Sequence, residues 1–221
     1  MKKYEKFKPL LIPLVLTAIQ GLSYLIVKPF QSNIHTLGNG IDTHIPFISY
    51  FVIAYCSWYV MLFIVPYLLY KKDRTMLAKY VSSLLIGILI CCVIFIIYPT
   101  TVLRPEINSN NIFDMIVKLI YLIDTPAINC MPSIHCLLSM LFILTIGVSK
   151  KFNLRDKLII AIISILIMLS TLFIKEHALI DLITGDVLMT IVFLCVNYNK
   201  KLVNNTKKLL NIWQFFYTLF F

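Results

Sequence analysis

Outside its basic clusters the chain has few residues able to move a proton or hold a phosphate, and those few fall in three short groups. His177 and Asp181 stand four apart. On a helix that spacing puts both on one face, so the carboxylate can accept a hydrogen bond from one imidazole nitrogen and leave the other as a nucleophile. A polar pair that only braces a helix end has the same spacing and, for the pair taken alone, is the commoner case. Pro132-Ser133-Ile134-His135 forms the second group. Proline and serine suit the start of a helix, whose unpaired backbone N–H groups can bind a phosphate oxygen. His135, just behind them, could as an imidazolium stabilise an anion or protonate a leaving alkoxide. A capped helix with an interfacial histidine is the plainer alternative. The third group is Arg104-Pro105. The guanidinium fork of Arg104 matches phosphate oxygens, although a loop arginine also commonly faces solvent or lipid headgroups.

The elements that must position these groups are apolar. Of 221 residues, 60% are apolar types and 14% are charged, against roughly half and a quarter in ordinary soluble domains. That balance excludes intrinsic disorder and argues for the bilayer as solvent. Apolar runs of the length that spans a membrane cover residues 9–27, 46–70, 80–98, 134–148, 158–174 and 178–196. The fourth is short and is expected to borrow a turn from each flank. The last two are parted only by Lys175, Glu176 and His177. The expected fold is therefore all-α: a polytopic membrane protein of six transmembrane helices in a single domain over residues 1–221. Two further segments do not span. Residues 111–123 read as an amphipathic interfacial helix, and the tail over 198–221 mixes lysines with aromatic residues as cytoplasmic anchors do.

Positive charge sets the orientation, because Lys and Arg are retained on the cytoplasmic side. Sixteen of the twenty basic residues cluster at 2–8, 71–79, 150–157 and 200–208, on one side of a six-helix layout. Lys28, Arg104, Lys118 and Lys175 lie on the other. Both termini are then cytoplasmic, and the formal charge of +10 is a topology signal that calls for no nucleic-acid partner. Residues 1–28 share the basic start and apolar stretch of a signal peptide, without a convincing cleavage site, and read as a retained first helix. All three chemical groups fall on the extracytoplasmic side, although they are far apart in sequence.

Together they resemble the type 2 phosphatidic acid phosphatase family, membrane lipid phosphatases and phosphotransferases related to the vanadium haloperoxidases. That family's pattern is Lys, six residues, Arg-Pro; then Pro-Ser-x-His; then Ser-Arg, five residues, His, three residues, Asp. Here it reads Ile97 with Arg104-Pro105, Pro132-Ser133-Ile134-His135, and Ser170-Thr171 with His177 and Asp181, so the motif region runs over 97–181. The resemblance implies in-line attack by His177 on phosphorus, with Asp181 orienting its ring and His135 protonating the leaving oxygen. Arg104, Ser133, Ser170 and Lys175 would hold the phosphoryl oxygens, without metal or cofactor. The implied substrate is a lipid phosphate or diphosphate at the outer face of the cell membrane. Two motif cations are replaced, by Ile97 and Thr171. A reduced basic set with both histidines and the aspartate kept also resembles the sphingomyelin synthase and inositol phosphorylceramide synthase branch, which transfers phosphate-bearing headgroups.

Two other readings remain open at this point. Zinc could be held by His35, His44, His135, His177 and Asp181, but no His-Glu-x-x-His pair or compact ligand spacing supports it. A non-catalytic lipid-binding or transport subunit would use the same histidines for headgroups alone. Asp186, five residues past Asp181, falls about 140° round a helix from it and is expected to pair with another helix. Cys130 and Cys136 flank the second motif on the oxidising side, and no disulfide is expected between them.

The charge distribution makes a direct prediction. A Ser109→Cys protein in intact cells should react with membrane-impermeant thiol reagents from outside, and reaction only after the cytoplasmic face is exposed would overturn this orientation.

Overall fold

The computed structural model describes residues 8–38, 40–109 and 111–220, with side chains described from 11 to 211. The basic residues Lys2, Lys3 and Lys6 and the aromatic residues of the tail from Trp213 onward lie outside the described residues or side chains. Eight α-helices are formed among the described residues: α1 Lys8–Val27, α2 Val52–Lys72, α3 Arg74–Ile97, α4 Ile112–Ile123, α5 Ile134–Val148, α6 Leu154–Phe173, α7 Leu179–Tyr198 and α8 Lys200–Phe220. Five helical stretches, built on α1, α2, α3, α6 and α7, are long and apolar enough to cross a membrane, and α5 is a shorter apolar helix.

Charged caps move the boundaries from where apolar runs alone place them. The run expected at 80–98 starts at Arg74, because Asp73 accepts a hydrogen bond from the Met76 backbone N–H and caps the helix six residues earlier. The run from residue 46 begins its α-helix only at Val52, after a 3-10 turn at Ser49–Phe51. α5 borrows nothing from its flanks. Ser133 caps its start by accepting from the Cys136 backbone N–H at 3.3 Å, Ser149 ends it, and the helix stays at 15 residues. Pro132 accordingly precedes the cap and is not the helix's first residue.

α5 is the centre of the bundle, packed by α3, α6 and α7. Its Leu137, Leu138, Leu141, Phe142 and Ile146 repeat at helical spacing and are fully buried. The outside is apolar as well: Leu25 on α1, Val60 on α2, Leu89 on α3, Ile162 on α6 and Ile191 on α7 are all exposed. A protein in water would not leave so much contiguous apolar surface uncovered.

One end of the bundle gathers the C-termini of α1, α3 and α6 and the N-termini of α2, α5 and α7. There β1 (His35–Leu37) pairs in parallel with β2 (Thr100–Val102), His35 opposite Thr100 and Leu37 opposite Val102. The ladder fixes the chain leaving α3 and so positions Arg104, two residues past β2. His35 also stacks on Tyr98 with ring centroids 4.2 Å apart, a structural role. His44 ends the 3-10 turn Gly40–His44.

Close approach of α7 to the start of α5 depends on Gly185. A Cβ there would stand 2.6 Å from the Ser133 carbonyl oxygen and 3.2 Å from the Leu137 nitrogen, both backbone atoms that cannot swing aside. At Gly87 the corresponding clash, 2.8 Å, is with the terminal methyl of Met189, a flexible group. Gly185→Ala should therefore destabilise by roughly 1–3 kcal/mol, as overpacking does, while Gly87→Ala is tolerated; thermal unfolding of the detergent-solubilised variants compares them.

Candidate functional site

The three groups separated in sequence meet at this end of the bundle. His177 is not on α7, as its spacing from Asp181 suggested. It sits in the tight turn after α6, where the Thr171 carbonyl accepts both the Glu176 N–H at 3.0 Å and the His177 N–H at 3.1 Å. Lys175 takes a left-handed backbone conformation (φ 58°) to close that turn. Asp181, in the first turn of α7, reaches back so that its Oδ2 accepts from the Ala178 N–H at 2.9 Å and contacts His177 Nδ1 at 3.2 Å. The expected pair thus forms through a helix cap. Asp181 is fully buried, and its backbone carbonyl accepts the Ser133 N–H at 3.0 Å, joining the starts of α7 and α5.

His135, in the first turn of α5, completes the set. Its Nδ1 lies 3.4 Å from His177 Nε2. A His177 tautomer with its proton on Nδ1 would donate to Asp181 and leave Nε2 its lone pair, able to accept from an Nδ1–H of His135. The His135 ring is packed between Tyr55 and Trp58 of α2, at centroid distances of 4.7 and 4.3 Å.

Arg104 reaches the site but is already occupied. Its Nη2 donates to Glu176 Oε2 at 2.6 Å and Asp124 Oδ2 at 2.7 Å, its Nη1 donates to the carbonyls of Tyr121 and Asp124, and its plane lies over the Tyr121 ring at 4.6 Å. Burial opposes the charge on Arg104, but Glu176 and Asp124 outweigh it and raise its pKa above the usual arginine value. Burial pushes the Glu176 carboxyl above the ordinary range, with the guanidinium pulling the other way. Sequence reasoning passed over Glu176 and Asp124. The available signal was an acid between two apolar spans, which is costly unless it is used.

His177 lies between two cavities. The larger, about 410 Å³, is lined by His135, His177, Glu176, Asp124 and aromatic residues of α1 and α2. The smaller, about 290 Å³, is lined by His177, Arg104, Lys175 and Asp42. Lys175 donates to the Asp42 carbonyl at 2.9 Å. Ser133 is spent on its cap, and the Ser170 hydroxyl donates to the Ile167 carbonyl at 2.6 Å within α6. Both serines are fully buried and line neither cavity. Thr171, at the position of the missing motif arginine, is core as well, its hydroxyl 3.8 Å from Cys136 Sγ.

Buried polar atoms that lack a hydrogen-bond partner among the described residues gather in this small region: His135 Nε2, Arg104 Nε, Glu176 Oε1 and Asp181 Oδ1, and, on residues lining the larger cavity, Trp58 Nε1 and Asn129 Nδ2. Orphaned atoms are costly in a folded core, and their gathering at one place makes this the candidate site. Asp186 Oδ1 is another orphan, without the partner helix expected for it among the described residues. Of metal-type donors, Cys130, His177 and Asp181 offer atoms within 4.8 Å of one another. Burial drives the Cys130 thiol well above its ordinary pKa, which disfavours the thiolate a metal would need. Cys130 and Cys136 are both free thiols.

A sequence profile of the PAP2 superfamily matches residues 32–195, which include every one of these groups. The chain belongs to that superfamily. This establishes the type 2 phosphatidic acid phosphatase family, a superfamily of phosphatases and related phosphotransferases. No curated protein and no solved structure matches the chain. His135, His177 and Asp181 form one contact chain within the matched region, and Arg104 and Lys175 are basic residues lining the cavity beside it.

The buried Arg104–Glu176 pair makes a stability prediction. Arg104→Met should cost roughly 3–5 kcal/mol by leaving Glu176 uncompensated, and adding Glu176→Gln should recover most of it. Denaturant or thermal unfolding of the single and double variants measures the difference.

Proposed function

We propose that this protein is a membrane-integral lipid phosphatase, which hydrolyses a phosphate monoester or diphosphate carried by a lipid through a phosphohistidine at His177. The observation that carries this reading is the contact chain Asp181–His177–His135, with distances of 3.2 and 3.4 Å, at the wall of an open cavity. His177 Nε2 attacks phosphorus in line, the N–P bond forms as the bond to the leaving oxygen breaks, and His135, entering the step as the imidazolium, gives that oxygen a proton and becomes neutral. Water, deprotonated by His135, then attacks phosphorus and releases phosphate and free His177. Asp181 holds the imidazole in the required tautomer and stabilises the charge it gains. Arg104 and Lys175, lining the cavity on the other side of His177, are the cations available to the phosphoryl oxygens. Ser133 acts by fixing the first turn of α5, and Ser170 is left with a packing role.

The same reading makes the chain a single membrane domain of six spans, α1, α2, α3, α5, α6 and α7, in the cell membrane. Both termini are cytoplasmic and the site opens to the outer leaflet, as the basic clusters favour. α5, at 15 residues about 22 Å long, is short for the bilayer core. Packing against α3, α6 and α7 supports it as a span, since the middle of the helix is enclosed by protein.

A second reading, transfer of a phosphate-bearing headgroup to a hydroxyl acceptor, has its own supporting observation. Arg104 is held by two carboxylates, so the site has little free positive charge for a doubly charged monoester.

His177→Ala should abolish phosphate release from lipid phosphates by the purified protein. His135→Ala and Asp181→Asn should lower it by about 10²–10⁴-fold with unchanged thermal unfolding. Vanadate should inhibit by resembling the five-coordinate phosphorus of the transition state, and EDTA should have no effect. Near-normal turnover in His177→Ala, or loss with EDTA restored by zinc, would overturn the mechanism.

A further inference from the structure

Glu176 precedes His177 in the turn after α6 and lines the larger cavity together with His135 and His177. Its side chain is 3% exposed, against 33% for Asp124, the other carboxylate on Arg104. Its Oε2 accepts from Arg104 Nη2 at 2.6 Å, while its Oε1 is buried without a hydrogen-bond partner among the described residues. One oxygen is committed and the other is not. As a counter-ion to Arg104 alone, Glu176 would be superfluous, because Asp124 already supplies that charge.

Charge around Glu176 is negative in sum. Arg104 brings one positive charge to two carboxylates. Of the other ionisable groups facing Glu176 among the described residues, Tyr55 and Tyr59 of α2, Tyr121 of α4 and Cys130 before α5 are uncharged near neutral pH. His177 must be neutral to attack phosphorus. The ammonium groups lining the two cavities are engaged elsewhere: Lys28 stands 4.8 Å from the centre of the Tyr24 ring, and Lys175 donates to the Asp42 carbonyl at 2.9 Å. Burial holds the Glu176 carboxyl above its ordinary range against the pull of Arg104, and Asp124 adds to the rise. A phosphate dianion brings still more negative charge. The motif cations that would meet it are replaced by Ile97, exposed at the end of α3, and by the buried Thr171.

Resting on the reading of His177 as the nucleophile, we propose that Glu176 binds the substrate's phosphoryl group as a neutral carboxylic acid, its Oε1–H donating to a phosphoryl oxygen. The proton stands on Oε1 because Oε2 faces an N–H donor. It is taken from solvent as the phosphate binds and stays on Glu176, whereas the proton given to the leaving oxygen comes from His135. An ionised Glu176 would set acceptor against acceptor and like charge against like. Protonated, it leaves Arg104 and Asp124 as a neutral pair and supplies a donor where the replaced cations supply none. A carboxyl kept neutral by its surroundings can donate to an oxyanion in this way. Because the protonated form is the one that binds, affinity for phosphate falls as pH rises through the Glu176 titration.

The probe is sulfate, a tetrahedral dianion that takes up no proton itself near neutral pH, added to the full chain in detergent. Calorimetric titration in buffers of different ionisation enthalpy counts the protons bound with it. The wild-type protein should take up about one proton more per sulfate than Glu176→Gln, whose amide donates without titrating. Sulfate affinity should weaken with rising pH in the wild type and much less in Glu176→Gln. In hydrolysis of lipid phosphates, Glu176→Gln should flatten the alkaline fall of kcat/KM, and Glu176→Ala, which removes the donor, should lower kcat/KM about tenfold. If Glu176→Ala does not fold, the proton count of Glu176→Gln decides alone. Equal proton uptake in wild type and Glu176→Gln, with hydrolysis still abolished by His177→Ala, overturns the neutral acid and leaves the catalytic reading standing. Glu176-dependent uptake in a protein that hydrolyses no lipid phosphate overturns the catalytic reading and leaves the acid standing.

Discussion

The Asp181 carboxylate is the contact on which the rest of this site depends. One oxygen accepts the Ala178 N–H and so starts α7, and the same oxygen orients the His177 ring. The backbone of the same residue holds Ser133, and with it the first turn of α5 that carries His135. A charge fully enclosed by apolar helices is expensive, and it persists because these contacts return part of that cost. The arrangement also explains why glycine stands at 185: α7 must approach the start of α5 closely enough for the Asp181 carbonyl to meet Ser133, and there is no room for a Cβ.

Charge around the site is layered. The His177–Asp181 pair is innermost. Around it Arg104, Glu176 and Asp124 form a second group, closed by direct ion pairs at 2.6 and 2.7 Å. Arg104 therefore works first as a counter-ion. Its Nε, a donor, and the Glu176 Oε1, an acceptor, have no hydrogen-bond partner among the described residues.

Short, polar connections set the precision of this end of the bundle. Between α6 and α7 five residues, 174–178, reverse the chain, with two N–H groups sharing the Thr171 carbonyl. The β1–β2 ladder clamps the segment leading to Arg104. The side chains of the candidate site thus stand on caps and turns at the ends of apolar helices, where backbone groups not used by the helices are free to fix them.

Several features were legible in the sequence because they depend on local pattern. The length of the apolar runs gave the helices, and the spacing of Pro132-Ser133-Ile134-His135 and of His177 to Asp181 named the three residues that meet. Boundaries were less legible where a single capping residue outweighs hydropathy, as Asp73 does at α3 and Ser133 at α5. The tertiary structure alone decided which polar partners were consumed. Nothing in the order of residues says that Arg104 is bound by Glu176, 72 positions away, that Ser170 turns its hydroxyl back into its own helix, or that Trp58 and Tyr55 face His135 and not lipid. Those outcomes depend on which faces of the helices meet, and helix packing depends on shape summed over many weak contacts, which no short motif encodes.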